Sequence, residues 1–189
     1  MPPANDSTLI GKVARQLSRP PAYSERGVKD SILVASAASY GSRSADDLTQ
    51  PTGFDPEAAR LFEAIVESAY LVANADGDFD KTEQEAFEHV VLAACEGRVA
   101  ERQIGALLDD LHDQLAEDGV DKRVQMVARS IVRPDHAQEV LRVAALLAHV
   151  SGGVSDVERS VIERLAQAMG LTEGATSSAL SEVATALAD

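Results

Sequence analysis

The sequence predicts an all-α protein: a compact bundle of about seven helices built on two degenerate helix-turn-helix repeats, with an N-terminal helical extension. Three observations lead to this fold class. Apolar residues recur at helical spacing through most of the chain after residue 53. Aromatic residues make up 4% of the 189 residues, tryptophan is absent, and much of the apolar content is alanine, which favours closely packed helices. The segments between these patterns are too short for crossovers between strands.

The chain is predicted to divide at about residue 53. Residues 1–52 are expected to form an extension with two short helices, in DSTLIGKVARQLS and VKDSILVASAASY, followed by the linker GSRSADDLTQPTGF. Residues 53–189 are expected to form one acidic helical domain. The charge distribution follows this division, because Lys and Arg against Asp and Glu number six against five before residue 53 and eleven against twenty-six after it.

Each helix of the second part is predicted from the spacing of its apolar residues and from the residues that start or end it. The first opens with Asp55 as N-cap and Pro56 at the first helical position. Pro134 ends the fourth helical run, and Asp135 is expected to cap the fifth helix. Five of the seven helices are predicted to start at or near Asp55, Lys81, Asp135, Ser155 and Thr172. The other two are recognised by their core residues, which begin with Ile104 and Val124.

Composition also excludes several classes of protein. The acidic second part repels phosphate backbones and anionic lipids, so nucleic-acid binding and direct membrane insertion are not expected, whereas basic protein partners and cations are. The single cysteine, Cys95, has no partner for an internal disulfide, and no signal peptide or membrane-spanning segment is visible. A cytoplasmic location is therefore predicted. The sequence leaves the oligomeric state open.

An internal repeat appears at an offset of 75 residues, where LVANADGDFDKTEQEAFEHVV lies over LLAHVSGGVSDVERSVIERLA. Each copy predicts a helix, a glycine turn and a second helix. In both copies the turn ends in a capping box, formed by Asp80 with Glu83 and by Ser155 with Glu158, in which the cap oxygen accepts the backbone N–H three residues on. The paired positions are Ala73 with Ala148, Gly77 with Gly152, Phe79 with Val154, Glu83 with Glu158, and Phe87 with Ile162.

The repeat resembles the signature of the tellurite-resistance TerB family, which has an apolar helix, an Ala-Asp-Gly turn and an acidic helix start with a spaced glutamate. The first copy carries this pattern as Ala75-Asp76-Gly77 followed by Phe79 and Glu83. The resemblance covers residues 54–187. It implies an all-helical domain with acidic residues placed to hold a divalent metal, in a family linked to bacterial envelope stress, tellurite resistance and phage defence. The second copy departs from the pattern, with Ser151-Gly152-Gly153 in place of Asp76-Gly77-Asp78 and Ser155 in place of Asp80.

The candidate metal ligands are Asp76, Asp78, Asp80 and Glu83. Carboxylate oxygens are the hard ligands that calcium and magnesium prefer, and alternate spacing lets a curved loop turn several carboxylates inward. The expected ion is calcium, with magnesium or manganese as alternatives. An EF-hand register starting at Asn74 fails, because Phe79 replaces the glycine required at the sixth place. The alternative is that these acids only favour the start of a helix, where the helix dipole stabilises each by about 0.3–1 kcal/mol.

No catalytic residues and no organic cofactor are predicted. The histidines His89, His112, His136 and His149 are scattered without a metal-binding motif, and Cys95 is expected to fill core space. Two functions remain. The first is a non-enzymatic TerB-like module that binds a divalent cation at the first turn and mediates protein interactions in a bacterial stress or envelope-associated assembly. The second is a metal-free structural scaffold, or a cargo or adaptor protein, recruited through its N-terminal region.

Overall fold

The computed structural model describes residues 4–42, 54–77, 79–151 and 153–188, and these residues form nine α-helices and no strand. The all-α prediction is confirmed, with seven of the helices after residue 53. The helices are α1 (Ala4–Ser18), α2 (Ile32–Gly41), α3 (Pro56–Ala73), α4 (Lys81–Ala94), α5 (Glu101–Asp118), α6 (Val120–Ser130), α7 (Pro134–Ala148), α8 (Asp156–Ala168) and α9 (Ala175–Ala188). A short 3₁₀ helix, His149–Ser151, follows α7.

Most helix starts lie where local signals place them. The Asp55 carboxylate accepts the backbone N–H groups of Glu57 and Ala58 at 2.9 and 3.1 Å, as an N-cap does. The prediction of Asp135 as a cap is wrong. Because Pro134 has a fixed φ suited to the first helical position, the cap falls on Arg133, two residues before Asp135. The Arg133 guanidinium donates to Asp135 in the first turn at 2.6 Å. The last helix starts at Ala175 rather than near Thr172.

Helices α3 and α7 form the centre of the bundle and pack against each other. Both are apolar on nearly all sides, which is the pattern of a helix surrounded by neighbours. In α3 the buried stretch is continuous from Ala64 to Val72, and in α7 it is continuous from Glu139 to Ala148. The two helix-turn-helix repeats begin at the C-terminal ends of these two helices, so the turns project from the central layer.

The two N-terminal helices share this core. Val13 and Leu17 of α1, and Leu33 and Ala37 of α2, are at most 1% exposed and belong to the same apolar cluster as the helices after residue 53. Helix α2 lies along α3, where the rings of Tyr40 and Phe62 stack with centroids 4.8 Å apart. The predicted extension is therefore packed against the acidic domain. The predicted linker falls mostly in residues 43–53, which lie outside the described residues.

The end of α2 approaches the loop between α4 and α5 closely. A Cβ atom at Gly41 would lie 1.8 Å from the carbonyl oxygen of Arg98, so only glycine fits at this position. The side-chain amide of Gln103, in α5, also donates to the carbonyl of Gly41 at 3.2 Å. These contacts fix α2 at its C-terminal end as well as along its side.

Two charged residues one turn apart on α7 hold the ends of α1 and α2. Arg142 is 4% exposed and donates to the carbonyls of Gln16 and Arg19, at the C-terminal end of α1. Glu139 is 6% exposed and accepts the N–H of Ile32, the first residue of α2, at 2.8 Å. Each charge matches the helix end that it faces, because C-terminal carbonyls favour a cation and N-terminal N–H groups favour an anion.

The bundle contains no helix, among the residues that the structure describes, that is long and apolar enough to cross a lipid bilayer.

Candidate cation-binding turn

The first turn connects α3 to α4 through a compact backbone. Asn74 caps the end of α3, with its backbone N–H and its side-chain amide both 3.0 Å from the carbonyl of Tyr70. The N–H of Gly77 then donates to the carbonyl of Asn74 at 3.1 Å. Gly77 has a φ of +83°, a left-handed conformation that glycine adopts without steric cost. The Ala-Asp-Gly sequence thus supplies the residue that this reversal requires.

Phe79 anchors the turn to the helices on either side. Its half-buried ring meets Tyr70 of α3 edge to face at a centroid distance of 5.6 Å, and Phe87 of α4 at 5.9 Å. Tyr70 and Phe87 meet in the same way at 6.5 Å. Edge-to-face pairs of this kind contribute about 0.5–1.5 kcal/mol each beyond the area they bury. The residue that breaks the EF-hand pattern is therefore the one that packs the turn against the core.

The predicted capping box at the start of α4 is confirmed. Asp80 accepts the N–H of Glu83 at 2.9 Å, and Glu83 accepts the N–H of Asp80 at 3.1 Å. The box occupies one oxygen of each carboxylate, which leaves the second oxygen of each to other chemistry. It also fixes the positions of two candidate ligands relative to each other without any metal.

The structure places the predicted ligands unevenly. Asp76 and Asp80 are exposed and Glu83 is half-buried, all on or beside the turn. Asp78, the fourth predicted ligand, lies outside the described residues. Among the side chains that the structure does describe, no three His, Cys, Asp or Glu residues are grouped so that they could hold a metal ion. A cage at this turn would therefore need Asp78 or a rearrangement of the other carboxylates.

The second turn shares the capping box of the first and differs from it in chemistry. Ser155 Oγ accepts the N–H of Glu158 at 3.2 Å, and Glu158 accepts the N–H of Ser155 at 2.7 Å, so the second predicted capping box is also confirmed. Glu158 is 7% exposed. Gly153, with a φ of +124°, stands where the first copy has Asp78. Half-buried Val154 replaces Phe79 as the apolar residue of this turn.

Residues 62–181 match the sequence profile of the family described as tellurite resistance protein TerB. The match spans more than half of the chain. The chain belongs to the TerB family. No curated protein and no solved structure gives a significant match to it. The TerB match includes both helix-turn-helix repeats, and it leaves α1 and α2 outside.

The structure shows the surroundings of Cys95 and His149 in this TerB chain. Cys95 is fully buried at the end of α4, and burial raises the pKa of its thiol to about 12, which disfavours the nucleophilic thiolate at neutral pH. This environment agrees with the expectation that Cys95 fills core space. His149 ends α7, and its Nδ1 atom lies 2.8 Å from the carbonyl of Ala145.

Sequence reasoning missed two ion pairs of the TerB bundle, one buried and one that joins a buried arginine to a half-exposed glutamate. Glu67 of α3 accepts from Arg123 of α6 at 2.6 Å, and Arg142 of α7 pairs with Glu182 of α9 at 3.3 Å. The signal was present in the sequence, because Glu67 and Arg142 each interrupt a long apolar run. A charged residue on an otherwise buried helix needs a partner, although the sequence does not say which one.

Proposed function

We propose that this chain is a non-enzymatic TerB module that binds one divalent cation at the turn from Asp76 to Glu83 and presents the surrounding surface to a protein partner. The observation that carries the proposal is the placement of Asp76, Asp80 and Glu83 on a turn that Phe79 fixes to the core. A fixed turn lowers the cost of ordering ligands when an ion binds. The acidic turn of the TerB signature supports the same assignment.

The ligand chemistry favours a hard cation. Asp76, Asp78, Asp80 and Glu83 offer only carboxylate oxygens, and calcium takes six to eight oxygens in flexible geometry, from carboxylates, backbone carbonyls and water. Calcium is therefore the proposed ion, with magnesium or manganese as alternatives. In this proposal Asp80 and Glu83 each coordinate the cation through the carboxylate oxygen that accepts no hydrogen bond in the capping box. The box itself stays intact when the cation binds.

Charge on α4 and α5 supports a basic protein partner. Partial burial raises the pKa of the Glu88 carboxyl, and the nearby charges of Glu101, Asp109 and Glu85 raise it further. Carboxylates this close repel one another, and a partner carrying Lys or Arg relieves that repulsion. We place such a partner in a stress-related or envelope-associated assembly, consistent with the tellurite-resistance family.

A second candidate function is a metal-free scaffold or adaptor, and the capping boxes favour it. Each box satisfies the backbone at the start of its helix without an ion, so the acidic residues have a structural role of their own. In this alternative the N-terminal region recruits the bundle to a larger assembly. The exposed parts of that region include Tyr23 and Val28, in the connection between α1 and α2.

Thermal melting in the presence of cations distinguishes the two functions. At a calcium concentration 100 times its Kd, the native state gains about 2.7 kcal/mol. For a domain of this size that corresponds to a rise in Tm of roughly 5–10 °C. Excess chelator is expected to reverse the rise, and Asp78→Asn to abolish it.

The matched control is Asp110→Asn, which removes the same charge from an exposed position on α5. This variant is expected to keep the full calcium response, because general screening of the acidic surface is not the cause. A melting curve unaffected by calcium, magnesium and manganese would reject the cation site and leave the scaffold function. An equal loss of response in both variants would show nonspecific screening.

A further inference from the structure

Helix α1 lies in a groove whose walls belong largely to the family-matched part of the chain. It contacts α4, α7, α9 and the 3₁₀ helix, and also α2, whereas the TerB match begins only at residue 62. The floor of the groove is apolar. Val13 and Leu17 are fully buried in it, and Ile10 packs at its edge. These three residues follow the spacing i, i+3, i+7 that places anchors on one face of a helix.

The groove also recognises the polar atoms of α1. At one end Arg142, held by Glu182 at 3.3 Å, donates to the carbonyls of Gln16 and Arg19 at 2.8 and 3.4 Å. These hydrogen bonds recognise the C-terminal end of a helix, because the last carbonyls have no partner within the helix. At the other side Lys12 Nζ and Gln16 Nε2 each donate, at 3.3 Å, to the last carbonyls of α9. Lys12 and Gln16 are one turn apart, so both donors lie on the same face of α1.

The connection from α1 to α2 is exposed, and when α1 leaves, α2 loses its contacts with α1 and the hydrogen bond from the N–H of Ser31 to the carbonyl of Ser18 at 3.2 Å. Residues 25–30 are all exposed, and Gly27 has a φ of +100°. Helix α2 has its own attachments, to α3 along its length and to Glu139 at its start. Breaking the chain in this exposed stretch therefore removes no buried residue.

We propose that α1 is an intramolecular ligand of a helix-docking groove in the TerB bundle, and that a partner protein's amphipathic helix with the same pattern takes its place. The pattern is three apolar anchors at i, i+3 and i+7, two hydrogen-bond donors one turn apart, and a helix C-terminus at Arg142. This is recognition of a helix in a groove, with anchors for affinity and terminal contacts for direction. The tether gives α1 an effective concentration in the millimolar range, so the intact chain excludes weak competitors.

The test uses the whole chain with a site-specific protease sequence inserted between Arg26 and Gly27. After cleavage both fragments stay together, and a fluorescent peptide of residues 4–23 is added. We expect the peptide to exchange into the cleaved protein, measured by anisotropy and by mass spectrometry of the released fragment. We expect the uncleaved protein to bind it at least about tenfold more weakly, because the tethered helix competes.

Two controls make the result decisive. A peptide carrying Leu17→Asp should not exchange, because it places a charge on the apolar floor. Circular dichroism of the cleaved protein should match that of the intact chain. The proposal is overturned if cleavage unfolds the protein, if α1 stays bound for a day without exchange, or if the Leu17→Asp peptide exchanges equally well. Each of these results would make α1 a permanent part of the core.

Discussion

Removing residues 1–52 is expected to abolish the cooperative unfolding of the remaining chain. The truncation takes away Leu33, Val34, Ala37 and Tyr40 of α2, all buried, and exposes Phe62 of α3. Each large apolar side chain that is fully buried contributes about 1.5–3 kcal/mol. Their combined loss is on the order of the whole stability of a domain, about 5–15 kcal/mol. Urea unfolding followed by circular dichroism, with binding of a hydrophobic dye, measures the effect.

A chain cleaved within residues 43–53, with both fragments retained, is the control for this truncation. It keeps every described contact between α2 and α3, so it should unfold cooperatively. A truncated protein that unfolds at the same urea midpoint as the full chain would contradict the shared core. It would support instead the sequence prediction that residues 53–189 fold as a separate domain.

Replacing Arg123 by methionine is expected to destabilise the protein by about 3–5 kcal/mol at neutral pH. The guanidinium donates to Glu67 at 2.6 Å and to Asp118 at 3.1 Å, and the side chains of Glu67 and Arg123 are 10% and 11% exposed. Without Arg123 the Glu67 carboxylate is left buried with no cation. Arg129→Met, the same change at an exposed position of α6, should alter the stability by less than about 0.5 kcal/mol.

The loss of stability caused by Arg123→Met should increase with pH. Burial already raises the pKa of Glu67 above its ordinary value, and Arg123 opposes that rise. In the variant this pKa rises further, so the native state holds the proton to higher pH than the unfolded state does. Stability then falls as pH increases through that interval, starting near the ordinary glutamate pKa of about 4.3. The deficit relative to the unmodified protein should therefore be smaller at pH 5 than at pH 8.

The double variant Glu67→Met with Arg123→Met completes this test. Removing both charges leaves no unpaired ion, so its stability should return to within about 1 kcal/mol of the unmodified protein at both pH values. An Arg123→Met loss of equal size at pH 5 and pH 8 would contradict the role of Glu67 ionisation.

The parts of the fold that depend on local signals were predictable from the sequence. The capping boxes at Asp80 and Ser155 use atoms three residues apart, so the pattern alone determines them. The cap of α7 was misplaced by two residues, because an aspartate and a proline compete as start signals and the fixed φ of Pro134 decides the position. Long-range features were not predictable, because nothing in the sequence pairs Glu67 with Arg123 or Arg142 with Glu182.

The same distinction between local and long-range features applies to the candidate site. The first turn and its glycine follow from the repeat, and the structure confirms both. Whether the carboxylates converge on one point depends on side-chain conformation and on Asp78, which local sequence does not determine. The role of Phe79 also needed the fold, because its packing against Tyr70 and Phe87 joins residues from two helices.

Calorimetric titration of the full chain with calcium tests the proposed cation site most directly. The first turn carries four carboxylates, whereas Gly153 and Ser155 in the second offer only backbone and hydroxyl oxygens, which compensate little of the ion's dehydration. The proposal predicts one ion per chain. Ser155→Ala should leave the affinity unchanged while costing about 1 kcal/mol of stability through the lost cap, and Asp80→Ala should reduce both. No binding, two equivalent sites, or an affinity that falls with Ser155→Ala would contradict the assignment of cation binding to the first turn alone.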